Sequence, residues 1–151
     1  MRIPCLRCFV AALAVVATTA TVPGVIAAAH AQHSSPQRSK VVIQVSDGEQ
    51  AKWNLALNNA KNIQTDLGAA NVDIEIVVYG AGGIGMLKFD SPVGNRVGEA
   101  IASGVKILAC ETTMRGQSLA RGDMLKDIGY VGSGVVELMS KQQQGWAYIR
   151  P

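Results

Sequence analysis

Apolar positions follow two rhythms along this chain. Residues 40–46 (KVVIQVS) form a near-continuous β-branched run, which predicts a strand buried on both faces. Between residues 49 and 67, Trp53, Ala56, Leu57, Ala60, Ile63, Gln64 and Leu67 recur at steps of three and four. That spacing predicts an amphipathic helix ending at Gly68. Residues 72–79 (VDIEIVVY) alternate and then turn wholly apolar, a second strand. A glycine-rich connection over 80–91 leads to a helix over 92–103, with Pro92 in its first turn and Gly104 after its end. Residues 105–109 are the third strand.

The remaining pattern is more broken. A short helix is expected over 112–120 and a further turn or two over 122–128. Tyr130 and Val131 open a short fourth strand. Ser133 or Gly134 starts a helix with Val135, Val136, Leu138 and Met139 as its apolar face, ended by Gly145. Residues 146–149 (WAYI) are a last strand. Strands alternating with helices predict an α/β fold: a three-layer α/β/α sandwich around a mostly parallel sheet of about five strands. Right-handed crossovers then gather the loops after the first three strands on one edge.

The amino-terminal stretch belongs to a different class. Arg2 and Arg7 form a basic start, residues 9–22 are apolar, Pro23-Gly24 breaks them, and Ala29-His30-Ala31 fits a cleavage site. This predicts a signal peptide over 1–31, cleaved after Ala31, a flexible linker over 32–39, and one α/β domain over 40–151. The expected location is secreted or periplasmic, with no membrane attachment after cleavage. Removing Arg2 and Arg7 takes the basic count from 14 to 12 against 11 acids, so the net charge falls from +3 to +1. No basic face large enough for nucleic acid remains.

Cleavage also removes Cys5 and Cys8, whose C-x-x-C spacing is then irrelevant, and His30. His33 is left in the linker, so the predicted domain holds no histidine. That argues against a Ser-His-Asp triad, a Cys-His dyad and histidine-ligated metals. Met86, Met114, Met124 and Met139 are scattered over separate elements and read as core filling, not a copper site. No metal or organic cofactor is expected. Trp53 and Trp146 read as core or interface anchors.

One cysteine remains, Cys110, where the third strand gives way to a helix start. Open α/β sheets place chemistry at strand carboxyl ends, and a helix N-terminus favours thiolate over thiol. A small buried residue ending a strand fits the same position. Arg115, one turn into the helix, is placed to stabilise a sulfur anion or to face solvent. Glu111 would raise the thiol pKa if it pointed inward; it is expected to point away or to engage a neighbouring chain. Residues 80–85 (GAGGIG) match G-x-G-x-x-G after a strand, which keeps a nucleotide-binding reading open. The glycines follow the second strand, however, and residues 86–92 delay the helix.

The order of elements, the Tyr-Gly-x-Gly-Gly-Ile-x-Met-Leu loop, the stretch Ala109-Cys110-Glu111-Thr112-Thr113-Met114 and the ending Gly145-Trp146-Ala147-Tyr148-Ile149-Arg150-Pro151 together resemble the DsrE/DsrF-like family. TusD and YchN-type proteins are also members of that family. The resemblance implies a parallel α/β/α sandwich, homo-oligomers (trimers or hexamers) and relay of sulfane sulfur as a cysteine persulfide. It carries the sulfur-bearing role to Cys110 alone; Thr112, Thr113, Arg115, Gly80, Gly82 and Gly83, near it in the chain or on the neighbouring loop, are expected as supporting positions. The implied partners are sulfur donor and acceptor proteins or small sulfur compounds. A non-catalytic assembly module of the same fold is the alternative.

Overall fold

The computed structural model describes residues 38–151. The predicted leader, its cleavage point and the linker up to residue 37 lie outside the described residues. The strands are β1 (Ser39–Val45), β2 (Val72–Val78), β3 (Lys106–Cys110), β4 (Gly129–Val131) and β5 (Ala147–Ile149). The helices are α1 (Gln50–Leu67), α2 (Gly80–Gly83), α3 (Gly94–Ala102), α4 (Glu111–Gly116) and α5 (Gly134–Gln143). All strand pairs are parallel, in the order β4-β3-β2-β1-β5. The predicted α/β/α sandwich with five strands is therefore the observed architecture.

Strand order decides how the two faces are covered. The chain steps from β1 through β2 and β3 to β4 in one direction, then reverses to place β5 beside β1. Right-handed crossovers put helices made in the first direction on one face and the helix made on the return on the other. The first face holds the larger core. There Val41, Ile43 and Val45 of β1 and Ile74, Ile76 and Val78 of β2 pack with Trp53, Ala56 and Leu57 of α1 and Val97 of α3. The second cluster is Val42, Val77 and Leu138, flanked by Tyr79 and Trp146.

Two sequence expectations need correction. The glycine-rich connection is not an open loop: Gly80–Gly83 is a full helical turn, and Ile84–Leu87 continues it as a 3-10 turn. Tertiary contact imposes this, because Ile84, Met86 and Leu87 are buried in the larger core. The second correction concerns α5. Of its predicted apolar face only Leu138 is buried, while Val135, Val136 and Met139 are each more than half exposed. The helix is rotated because Lys141 and Glu137 point inward to meet Glu75 of β2. Met139 is thus not core filling; Met86, Met114 and Met124 are.

Candidate functional site

Side chains alternate across a strand. In β3, Ile107 and Ala109 join the larger core, so Cys110, the last strand residue, faces the α5 side. Its exposure is only 4%. The Gly134 amide at the start of α5 donates a hydrogen bond to Cys110 Sγ at 3.2 Å. Glycine is required there, since a Cβ on Gly134 would come within 2.9 Å of Tyr79 Cβ. The following turn, α4, brings Thr112 and Thr113 beside the same sulfur, where they favour its ionised form.

Thr113 contributes its side chain as well. Its Oγ1 accepts the Gly80 N–H at 2.9 Å, which leaves the hydroxyl proton for the sulfur. Burial opposes ionisation of Cys110. The Thr113 hydroxyl and the amides of Gly134, Thr113 and Thr112 outweigh it and hold the thiol below its ordinary range. The cradle is built from neutral donors alone.

Thr112 closes the other side of the cradle: its amide and its Oγ1 both donate to Gly132 O, at 3.2 and 2.7 Å. This ties α4 to the loop that carries Gly134. Arg115 Nη2 donates to Thr112 Oγ1 at 2.9 Å, so it braces Thr112. Glu111 points away from the sulfur, as expected, to Arg121 Nη2 at 2.6 Å. Arg121 in turn lies over the Tyr130 ring, 4.3 Å from its centroid.

The three predicted edge loops do meet. Gly80 (φ +75°) lies in the left-handed region that favours glycine. A Cβ on Gly82 would sit 2.7 Å from Gly48 N, and one on Gly83 would sit 2.7 Å from Val45 O. The glycines serve backbone-to-backbone packing between α2 and the loop after β1. That contact accounts for their spacing without a pyrophosphate. Asp47 O accepts the Trp53 Nε1–H at 2.6 Å and fixes the same loop from below.

Beside the cradle a groove of about 540 Å³ runs between α5 and β5, lined by Gln44, Tyr79, Val135, Leu138, Met139 and Tyr148 among others. Tyr148 Oη donates to Gln44 Oε1. Deeper on this face Lys141 Nζ lies 2.7 Å from Glu75 Oε2 and 3.3 Å from Glu137 Oε1, over the Trp146 ring. Glu75 Oε1 is buried without a hydrogen-bond partner. Burial holds this carboxyl above the usual carboxylate range despite Lys141.

Of the site residues named from the sequence, Thr113 and Gly80 meet close to Cys110, whereas Gly134, the donor to its sulfur, was not among them. The one signal was a glycine directly after Ser133 at a helix start, a position usually filled by residues with better helix propensity. Among the described residues no group of three or more His, Cys, Asp or Glu is placed to hold a metal ion. No helix among them is long and apolar enough to cross a membrane.

A five-stranded parallel α/β sandwich with Cys110 at the carboxyl end of its third strand defines the class. The chain belongs to the DsrE/DsrF-like family, whose profile matches residues 39–151. It is similar to the solved structure of MTH1491 from Methanobacterium thermoautotrophicum, a protein of unknown function, at 34% identity and a TM-score of 0.71. That match covers 75% of this chain and 99% of the other. BT1422 from Bacteroides thetaiotaomicron, a conserved protein of unknown function, shares the fold at 17% identity, TM-score 0.58, over 75% of this chain and 95% of its own. The ychN protein from E. coli shares it at 13% identity, TM-score 0.59, over 76% and 99%. No curated protein matches the chain.

Proposed function

We propose that this protein carries sulfane sulfur as a persulfide on Cys110. The observation that supports this most is the hydrogen bond from the Gly134 amide to the Cys110 sulfur, beside the start of α4, with the thiol held below its ordinary range. The Cys110 thiolate attacks the terminal sulfur of a persulfide or polysulfide donor. The donor's S–S bond breaks, its electron pair leaves with the donor thiolate, and a Cys110–S–S⁻ group forms. An acceptor thiolate then attacks the outer sulfur, and Cys110 departs as thiolate. There is no net oxidation, and the same donors that favour thiolate favour the persulfide anion.

The reading includes cleavage after Ala31 and release into the periplasm or beyond, and assembly into a homo-oligomer through the α5 side. Support for assembly comes from Val135, Val136 and Met139, apolar and outward on a helix whose inward stripe holds charges.

A second reading, a non-catalytic assembly module with an inert thiol, draws on the 4% exposure of Cys110. One experiment separates the two. The protein is incubated with polysulfide and its intact mass measured, with Cys110→Ser as control. A 32 Da adduct confined to the wild type supports the carrier. A thiol that takes neither sulfur nor a small alkylating reagent until denatured establishes the module.

A further inference from the structure

On the opposite face from α5, helices α1 and α3 leave a cleft of about 360 Å³ between them, within the range of small-molecule sites. Each helix lines it with one stripe of the same spacing: Leu57, Ala60, Lys61 and Gln64 from α1, and Arg96, Glu99 and Ala100 from α3 with Ser103 directly after its end. The gap stays open because alanines stand at the middle of both stripes. It is braced at both ends. At one end Gln64 Nε2 donates to Ser103 O at 2.9 Å, and Ser103 Oγ donates back to Gln64 Oε1 at 3.0 Å. At the other, Arg96 donates to Asn54 Oδ1 and, at 2.6 Å, to Asn58 Oδ1.

The charge on Arg96 is oriented but not neutralised. Both acceptors are neutral amides, and two of its five N–H groups are used. Among the described residues neither Arg96 nor Lys61 has a carboxylate within 4.0 Å. Two cations face one carboxylate, Glu99, over a floor of Leu57, Ala60, Ala100 and Val105. A fixed guanidinium with free donors above an apolar floor suits a bidentate carboxylate with a hydrocarbon body.

We propose that this cleft binds a small amphipathic monoanion, with its carboxylate on Arg96 and its apolar tail along Ala60, Ala100 and Val105. None of these residues touches Cys110, so the site operates independently of sulfur carriage.

The test is an amide-shift titration of the ¹⁵N-labelled protein with octanoate, with 1-octanol as the neutral probe. The expected result is saturable movement of the Ala60, Gln64 and Ala100 amides, with Gly134 unmoved. Arg96→Gln weakens octanoate about tenfold, the equivalent of one charge-assisted hydrogen bond, and leaves 1-octanol unchanged. Ala100→Leu fills the cleft and removes both. The Arg96→Gln comparison stands even if Ala100→Leu does not fold. Non-saturating shifts, shifts centred on Gly134, or equal octanoate affinity in Arg96→Gln overturn the proposal. Failure here leaves the mass test on Cys110 untouched.

Discussion

The Gly134 amide points at Cys110 Sγ from 3.2 Å, and the two residues lie 24 positions apart in the chain. Helix α5 therefore does two things at once. Its first residue completes the sulfur's surroundings, and its body covers the thinner face of the sheet.

The thiol's ionisation sets the first prediction. A pKa depressed in the folded state contributes stability that is fully present above the unfolded thiol value, about 8.5, and lost as pH falls through the native value. The stability difference between wild type and Cys110→Ser should thus move in favour of wild type with rising pH and level off above about 8.5. Denaturant midpoints from pH 6 to 10 measure it. Thr113→Val should move the half-point of alkylation upward and destabilise by about 1–2 kcal/mol, because the Gly80 N–H loses its acceptor.

Gly134→Ala puts a methyl 2.9 Å from Tyr79 Cβ. The start of α5 must move away, and the bond to Sγ lengthens with it. The expected cost is about 1–3 kcal/mol, together with slower alkylation at neutral pH. Stability lost with an unchanged alkylation profile would remove Gly134 from the thiol's surroundings.

Lys141→Met strands Glu75, whose Oε1 already lacks a partner. A loss of about 3 kcal/mol is expected, with most of it recovered in the double variant Glu75→Leu, Lys141→Met. Glu75 titrates above its ordinary range, so folding stability falls as pH rises from about 4.3 through the raised native value. Glu75→Gln should flatten that slope. Urea titrations at pH 4 to 7 read both effects.

Val135→Glu with Met139→Glu tests the assembly surface. Both side chains are exposed, at 55% and 52%, so folding stability should change by no more than about 0.5 kcal/mol at each site. Sedimentation should show the oligomer of the wild type reduced to a monomer. A wild type that is already monomeric, or a double variant with unchanged mass, would refute an α5 interface.

How much of this was legible follows from which force shaped each element. Residues of β1, α1 and β2 follow the periods of two and 3.6 because a single dominant core reads them. Gly80–Gly83 does not, since glycine carries no apolar signal and its helical turn is imposed by contact with Val45, Ser46 and Gly48. In α5 the apolar pattern predicts the wrong inward side. A buried Glu75 draws Lys141 and Glu137 inward and turns the valines out, and Glu75 sits in an otherwise ordinary strand pattern. The place of Cys110 at a strand end was legible, but its backbone partner Gly134 belongs to α5, which follows only after α4 and β4.

The reversal of winding before β5 has a consequence for how such a chain diversifies. The outward residues of α5 lie apart from the larger core between the sheet and α1 and α3. Substitutions there alter what the molecule presents to its surroundings at little cost to folding. The fold thereby separates the residues that keep it standing from those that set its outer surface on this side.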